Sequence, residues 1–255
     1  MARESFAYSN TGKLLDLLDE AARRSGVSRG QAFEDFLQMG VCALSGGVME
    51  DEYLAVVGKH SAGKEGSRGC DSLAHLFGEL VGQMEETRGE MKDLIGDLFQ
   101  GAITYGEAGQ FLTPEPVARL MAKLTTTKYA PEAGKTPRVC DPCCGSGRML
   151  MAVAEEHRNW EFVGQDVDLR CVRMTALNLA FRNLYGYVIH GNSLTFERRL
   201  VYRTGFNGTG FIREVPIEAC PAPVQQVIEE ALVPPSNTTE PQSIHPLSKN
   251  QLRLF

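Results

Sequence analysis

The stretch DPCCGSGRML, residues 141–150, sets an acid, Asp141, four residues ahead of Gly145, with Gly147 two further on. Val139 leads in, as at the end of a short strand. A glycine turn lets a ligand come close to backbone, and the helix start behind it would offer unpaired N–H groups. A dinucleotide fingerprint would carry a third glycine where Leu150 stands, and a lysine-type phosphate loop would carry lysine where Arg148 stands. Asp166, in GQDVD, falls at the end of a second strand-like run, where it can accept from ribose hydroxyls. Asn192, in HGNSL, follows a third run and could bond an adenine edge. The three positions describe an adenosyl ligand without a pyrophosphate. S-adenosylmethionine is such a ligand, its aminocarboxylate facing the loop and Asp141. The plainer alternative is an ordinary strand-to-helix turn, with Asp166 as a helix cap.

The elements that must position these residues alternate. VCDP, WEFVGQDVD and YVIHGNSL read as strands, and GRMLMAVAEEHR and LRCVRMTALNLAFRNL as the helices between them. Strand–helix–strand–helix–strand at these lengths predicts an α/β, Rossmann-like, doubly wound parallel sheet. Ahead of it, residues 11–45 read as two helices, with Gly26 between and Ser28 as N-cap of the second. This pair faintly resembles ribbon-helix-helix DNA binders, but no strand precedes it, so a packing or dimerisation module is the preferred reading. The predicted division is a helical module at 1–57, a flexible Gly/Ser/Lys-rich loop at 58–72 and a helical segment at 73–138, with a helical stretch from about Leu73 to Phe99 and a helix opened by Thr113-Pro114. The α/β domain then takes 139–232 and a disordered tail 233–255, with VQQVIEEAL as a short helix before the tail.

Five linked motifs, GQFLTPEPVARLM, DPCCGSGRMLMAVA, GQDVD, ALNLAFRNL and GNSL, resemble in order and spacing the adenine-N6 DNA methyltransferases of restriction–modification systems, above all type I modification subunits and their phage or plasmid relatives. The resemblance covers about residues 94–195. It implies a class I S-adenosylmethionine-dependent methyltransferase fold with Phe111, Thr113 and Pro114 on the methionine side. It also implies Asp141, Gly145 and Gly147 as the cofactor loop, Asp166 as the ribose acid and Asn192 at the adenine, where the family usually has Asp.

Such enzymes swing the target adenine out of the duplex and hold its amine with an Asn/Asp-Pro-Pro-Tyr/Phe motif after the fourth strand. No such tetrapeptide occurs here; the Pro-Pro of LVPPSN lies in the polar tail without an aromatic after it. The family's fold also calls for about four more strands, where this chain offers a hairpin, LVYRT and FIREV. The fold is therefore expected to be incomplete in its C-terminal half. The chain is then either catalytically impaired or completed by a second chain. In the hairpin, Arg198, Arg199, Arg203 and Arg213 stand against one acid, Glu197, among Phe196, Tyr202, Phe206 and Phe211. That composition suits DNA, with arginine on phosphates and aromatics on bases, and equally suits a solvated hairpin covering a sheet edge.

Composition narrows the rest. A net charge of −6 over 255 residues confines any nucleic-acid contact to local patches. Seven cysteines, an apolar content of 43% and no long apolar run point to reduced thiols in a cytoplasmic protein with no membrane partner. Cys140-x-x-Cys143 lacks a second ligand pair, so no metal is expected. The last five residues, QLRLF, resemble the peptide by which bacterial proteins dock on the replicative sliding clamp; Gln251, Leu252, Leu254 and Phe255 match it and Arg253 departs. A tail folded back on its own domain would use the same apolar side chains.

Overall fold

The computed structural model describes residues 6–87, 90–104, 110–127, 129, 134–206, 211–220 and 251–253, the side chains of 206, 211 and 251–253 excepted. The helix expected at VQQVIEEAL, most of the tail, and Leu254 and Phe255 lie outside those residues.

Helix α1 (Thr11–Ser25) buries Leu14, Leu15, Leu18, Ala21 and Ala22, an apolar stripe at helical spacing, and ends on Gly26 in the left-handed region (φ 67°). The Ser28 hydroxyl accepts from the Gln31 N–H and starts α2 (Arg29–Ala43), as its position predicts. Helix α3 (Glu50–Lys59) gathers three acids in its first turn, Glu50, Asp51 and Glu52. His60, fully buried, lies 2.6 Å from the Ser25 hydroxyl and 3.1 Å from the Asp35 carboxylate, and so ties α1, α2 and the end of α3 together. The predicted loop shortens to the residues between Lys59 and Gly69, where α4 (Gly69–Glu86) begins.

The helical stretch expected from about Leu73 to Phe99 holds two helices. Helix α4 stops at Glu86, and α5 (Leu94–Leu98) restarts behind Asp93, whose carboxylate caps the Gly96 N–H at 2.8 Å and runs on into a π-helical turn, Phe99–Thr104. Pro114 precedes α6 (Glu115–Thr126) as expected.

Strands β1 (Arg138–Asp141), β2 (Glu161–Asp166) and β3 (Gly186–Asn192) alternate with α7 (Arg148–Ala154) and α8 (Leu169–Phe181) and pair in parallel. Antiparallel β4 (Glu197–Phe206) and β5 (Phe211–Glu214) extend the sheet beyond β3. On the far side of β1, β6 (Gln251–Arg253) pairs in parallel, Val139 opposite Leu252. The order is therefore β5-β4-β3-β2-β1-β6, with the switch of direction at β1. Three residues expected in an unstructured tail thus form a strand: the open edge of β1 offers backbone groups that a strand satisfies.

The sheet's faces follow the period of two. Val139, Phe162, Val188, Tyr202 and Ile212 face one large core shared with α1, α2, α4, α5, α7 and α8. Val163, Tyr187, Ile189 and Val201 face a smaller cluster with Cys220. The N-terminal helices therefore pack on the same core as the sheet's first face. Among the described residues, no helix is long and apolar enough to cross a membrane.

Candidate cofactor site

Asp141, Asp166 and Asn192 end β1, β2 and β3, so the strand geometry alone brings all three to the carboxyl edge of the sheet, beside the switch point. The glycine loop fills the space between the first two. Gly145 and Gly147 both take left-handed backbone, φ 55° and 85°. At Gly145 a Cβ would stand 2.8 Å from Leu112 Cδ2, the movable end of a side chain, so it is the left-handed backbone that calls for glycine.

Two adjoining lobes open over the loop and share Phe111, Leu112, Cys143 and Gly145 in their walls. The smaller, about 230 Å³, adds Thr113, Asp141, Ser146, Arg148 and Met149. The larger, about 480 Å³, adds Gln110, Asp166, Val167, Asn192 and Leu194 among others. Of the residues predicted from sequence, Phe111, Thr113, Asp141, Gly145, Asp166 and Asn192 line this crevice. Pro114 and Gly147 do not; the first leads into α6 and the second packs against Thr175. Phe111 is 73% exposed and Leu194 86%, so the rim is apolar and open.

The loop's N–H groups are largely spent inside the protein, contrary to the sequence expectation. The Gly145 N–H donates to Asp166 (2.9 Å) and that of Cys143 to Asp141 (3.1 Å). Those of Cys144 and Gly147 reach the Gln165 and Cys144 carbonyls. What faces the crevice instead is acceptor. Asp141 is 2% exposed, and burial, with Asp166 nearby, pushes its carboxyl up to about 6. Among the described residues no cation pairs with it. Burial also raises the Asp166 carboxyl, against bonds from the Asp168 and Gly145 N–H groups. A carboxylate offers about four lone-pair sites, so each acid retains capacity for a ligand. Asn192 Oδ1 accepts from the Leu194 and Thr195 N–H groups and shapes the turn after β3.

Sequence reasoning missed the supports. Thr175 Oγ donates to the Gly145 carbonyl (2.9 Å), and Asn178 Nδ2 donates to the Ser146 carbonyl (2.9 Å). Both sit on the buried face of α8, and a polar residue at an apolar position is the signal that could have marked them. Asp168 caps α8 through the Arg170 N–H and accepts from Gln110, which fixes the start of the Phe111–Pro114 segment.

Arg199 forms a pair with Glu197 at 2.9 Å with both side chains about half exposed, and Arg203 stands opposite Arg213 across β4 and β5.

Residues 90–202 match the family model described as N-6 DNA methylase. The curated relative M.MamI, a type II methyltransferase of Microbacterium ammoniaphilum, is 33% identical over 96 residues, covering 32% of this chain and 26% of the relative. The chain thus spans about a quarter of that protein's length. Among solved structures, a type I restriction–modification methyltransferase subunit of Streptococcus thermophilus is similar at 15% identity and a TM-score of 0.39, over 76% of this chain and 60% of that one. A Listeria monocytogenes protein assigned to the class I S-adenosylmethionine-dependent methyltransferases gives 15% and 0.38, over 72% and 54%. Over residues 90–202 this chain is therefore similar to the N-6 DNA methylase family.

Proposed function

We propose that the chain is an S-adenosylmethionine-binding, DNA-associated protein of the adenine-N6 DNA methyltransferase family that does not transfer methyl on its own. One observation carries the cofactor half of this reading: the crevice presents buried carboxylates where a phosphate ligand would need donors. Asp141, buried without a cation, suits an ammonium group. Asp166 suits vicinal hydroxyls, and Gly145 leaves room between the two lobes that a side chain would fill. Asp141 and the smaller lobe would then hold the aminocarboxylate end, with Phe111 and Thr113 as its wall. Asp166 would hold the ribose, and Asn192 would bond the adenine edge. The bound cofactor supplies a methyl group on a sulfonium; these residues orient it and keep water from its buried side.

The catalytic half rests on the missing Asn/Asp-Pro-Pro-Tyr/Phe motif. Without a side chain and carbonyl to hold the adenine amine in line, proximity catalysis is lost. DNA contact is assigned to Arg198, Arg199, Arg203 and Arg213. Titration calorimetry of wild type and Asp166→Ala with S-adenosylmethionine tests the cofactor; absence of heat from wild type refutes it. Tritiated methyl transfer to unmethylated DNA tests the second claim, and incorporation by the purified chain alone refutes it.

A second reading, completion by a partner chain that carries the motif, is favoured by the side of the molecule beyond β1. There the sheet adds only the three residues of β6 among the described residues, and Val117, Leu120 and Leu124 of α6 form an exposed apolar stripe, 46–68% accessible. Docking of the QLRLF segment on a sliding clamp would have to release Gln251 and Leu252 from β1, so clamp binding is expected to compete with β6. Pull-down of the clamp with and without Leu254 and Phe255 decides that role.

A further inference from the structure

We propose that Asp93, which lines neither lobe, is a positioning residue for the cofactor and acts through Arg148 on the methionine end of the crevice. The inference rests on the S-adenosylmethionine reading given above. Asp93 is fully buried, and its carboxylate gathers donors on four residues from three separate parts of the chain. Oδ1 accepts from the Gly96 N–H and from Asn178 Nδ2, both at 2.8 Å. Oδ2 accepts from the Ser146 hydroxyl and from Arg148 Nε at 3.0 Å, with Arg148 Nη2 also at 3.0 Å. A carboxylate so surrounded has its lone pairs filled and one well-defined pose.

Arg148 carries that pose onward. Its Nη1 donates to the Thr113 carbonyl at 2.9 Å, so the guanidinium bridges Asp93 to the Phe111–Pro114 segment. Thr113, Ser146 and Arg148 all line the smaller lobe, and the relay Asp93–Arg148–Thr113 spans that lobe from the loop to the facing wall. Because Nε, Nη1 and Nη2 are each engaged, Arg148 acts as a brace. Gly96 makes the arrangement possible: a Cβ there would meet Asp93 Oδ2 at 2.0 Å and the Ser146 hydroxyl at 2.6 Å. The larger lobe does not include these residues, so the brace sets the fit for the amino acid and leaves the nucleoside end alone.

Calorimetric titration of the full chain with S-adenosylmethionine and with 5′-methylthioadenosine, which keeps the nucleoside and the methylated sulfur as an uncharged thioether and lacks the aminocarboxylate, separates the two ends. Arg148→Gln is expected to weaken S-adenosylmethionine about tenfold, the effect of losing a charge-assisted brace, and to leave methylthioadenosine within about twofold. Arg148→Lys, which keeps the charge and cannot span both partners, is expected not to restore the loss. Ser146→Ala, which removes one hydroxyl from the Asp93 carboxylate, is expected to show the same selectivity at about threefold. Equal loss of both ligands, or no loss of either, in a folded variant overturns the relay and leaves the crevice reading standing. Wild type that binds neither ligand overturns both.

Discussion

In the glycine loop, Gly145 and Ser146 are held from four directions, by Asp166, Thr175, Asn178 and Asp93, through bonds that are buried or half-buried. In the β4–β5 hairpin, Arg199 pairs with its neighbour Glu197 at the surface, both side chains about half exposed. Both regions carry residue types that suggest binding. The loop's bonds dictate its shape and the Arg199–Glu197 pair does not dictate the hairpin's, because buried polar groups must be satisfied and exposed ones need not be. Geometry should therefore dominate the response to mutation in the loop, and ionic strength the response in the hairpin.

The largest break in that contrast is expected at Gly145. A valine there meets Leu112 and a left-handed backbone at once, and calorimetry should show S-adenosylmethionine binding reduced at least about a hundredfold. Next comes Asp141→Asn, expected to weaken the cofactor about tenfold or more while raising the stability of the ligand-free protein. The sign follows from the raised carboxyl, about 6 in the fold against an ordinary 3.8. The folded state binds the extra proton between those values, so stability is lost as pH rises through roughly 4 to 6 and stays lower above it. Removing the charge should recover on the order of 1–3 kcal/mol at pH 7 in denaturant titration. The same proton competes with an ammonium ligand, so wild-type affinity should fall as pH drops below about 6, and the Asn variant should lose that dependence.

A smaller effect is expected from Asn192→Asp. The replacement can still accept from the Leu194 and Thr195 N–H groups and adds a charged acceptor, so the cofactor should bind about threefold tighter. Smallest is Arg199→Ala, at an exposed pair. It should leave the Tm unchanged and lower DNA affinity only at low salt, with a shallower salt dependence. A salt-independent loss there would mean that the hairpin is as specifically built as the loop.

The alternation of strands and helices from Val139 to Leu194 was legible because period-two and period-3.6 patterns are local, and the acids at the strand ends came with it. The motif order then tied Phe111 and Thr113 to the same crevice. Asp93 was not legible. Its partners Ser146, Arg148 and Asn178 lie more than fifty residues away, and nothing local distinguishes it from an ordinary helix cap. The break before it did have a local signal, Gly89 in the polar run EETRGEMKD at 85–93. The free N–H groups expected at the loop were misjudged for a related reason. Sequence shows that a turn has donors but cannot show that Asp141, Asp166 and the Gln165 carbonyl already take them. The strand at Gln251–Arg253 depends on a vacancy beside β1 that exists only in three dimensions.

The uncompensated carboxyl of Asp141 has a consequence for the protein's life in the cell. A fold that carries a buried charge awaiting its counter-ion is less resistant to opening when empty than when filled, and ligand binding adds stability by mass action. On the proposed reading, proteolytic turnover would rise when the methyl donor is scarce and fall when it is plentiful. The abundance of the chain would then report the supply of its own cofactor, even where no methyl group is moved.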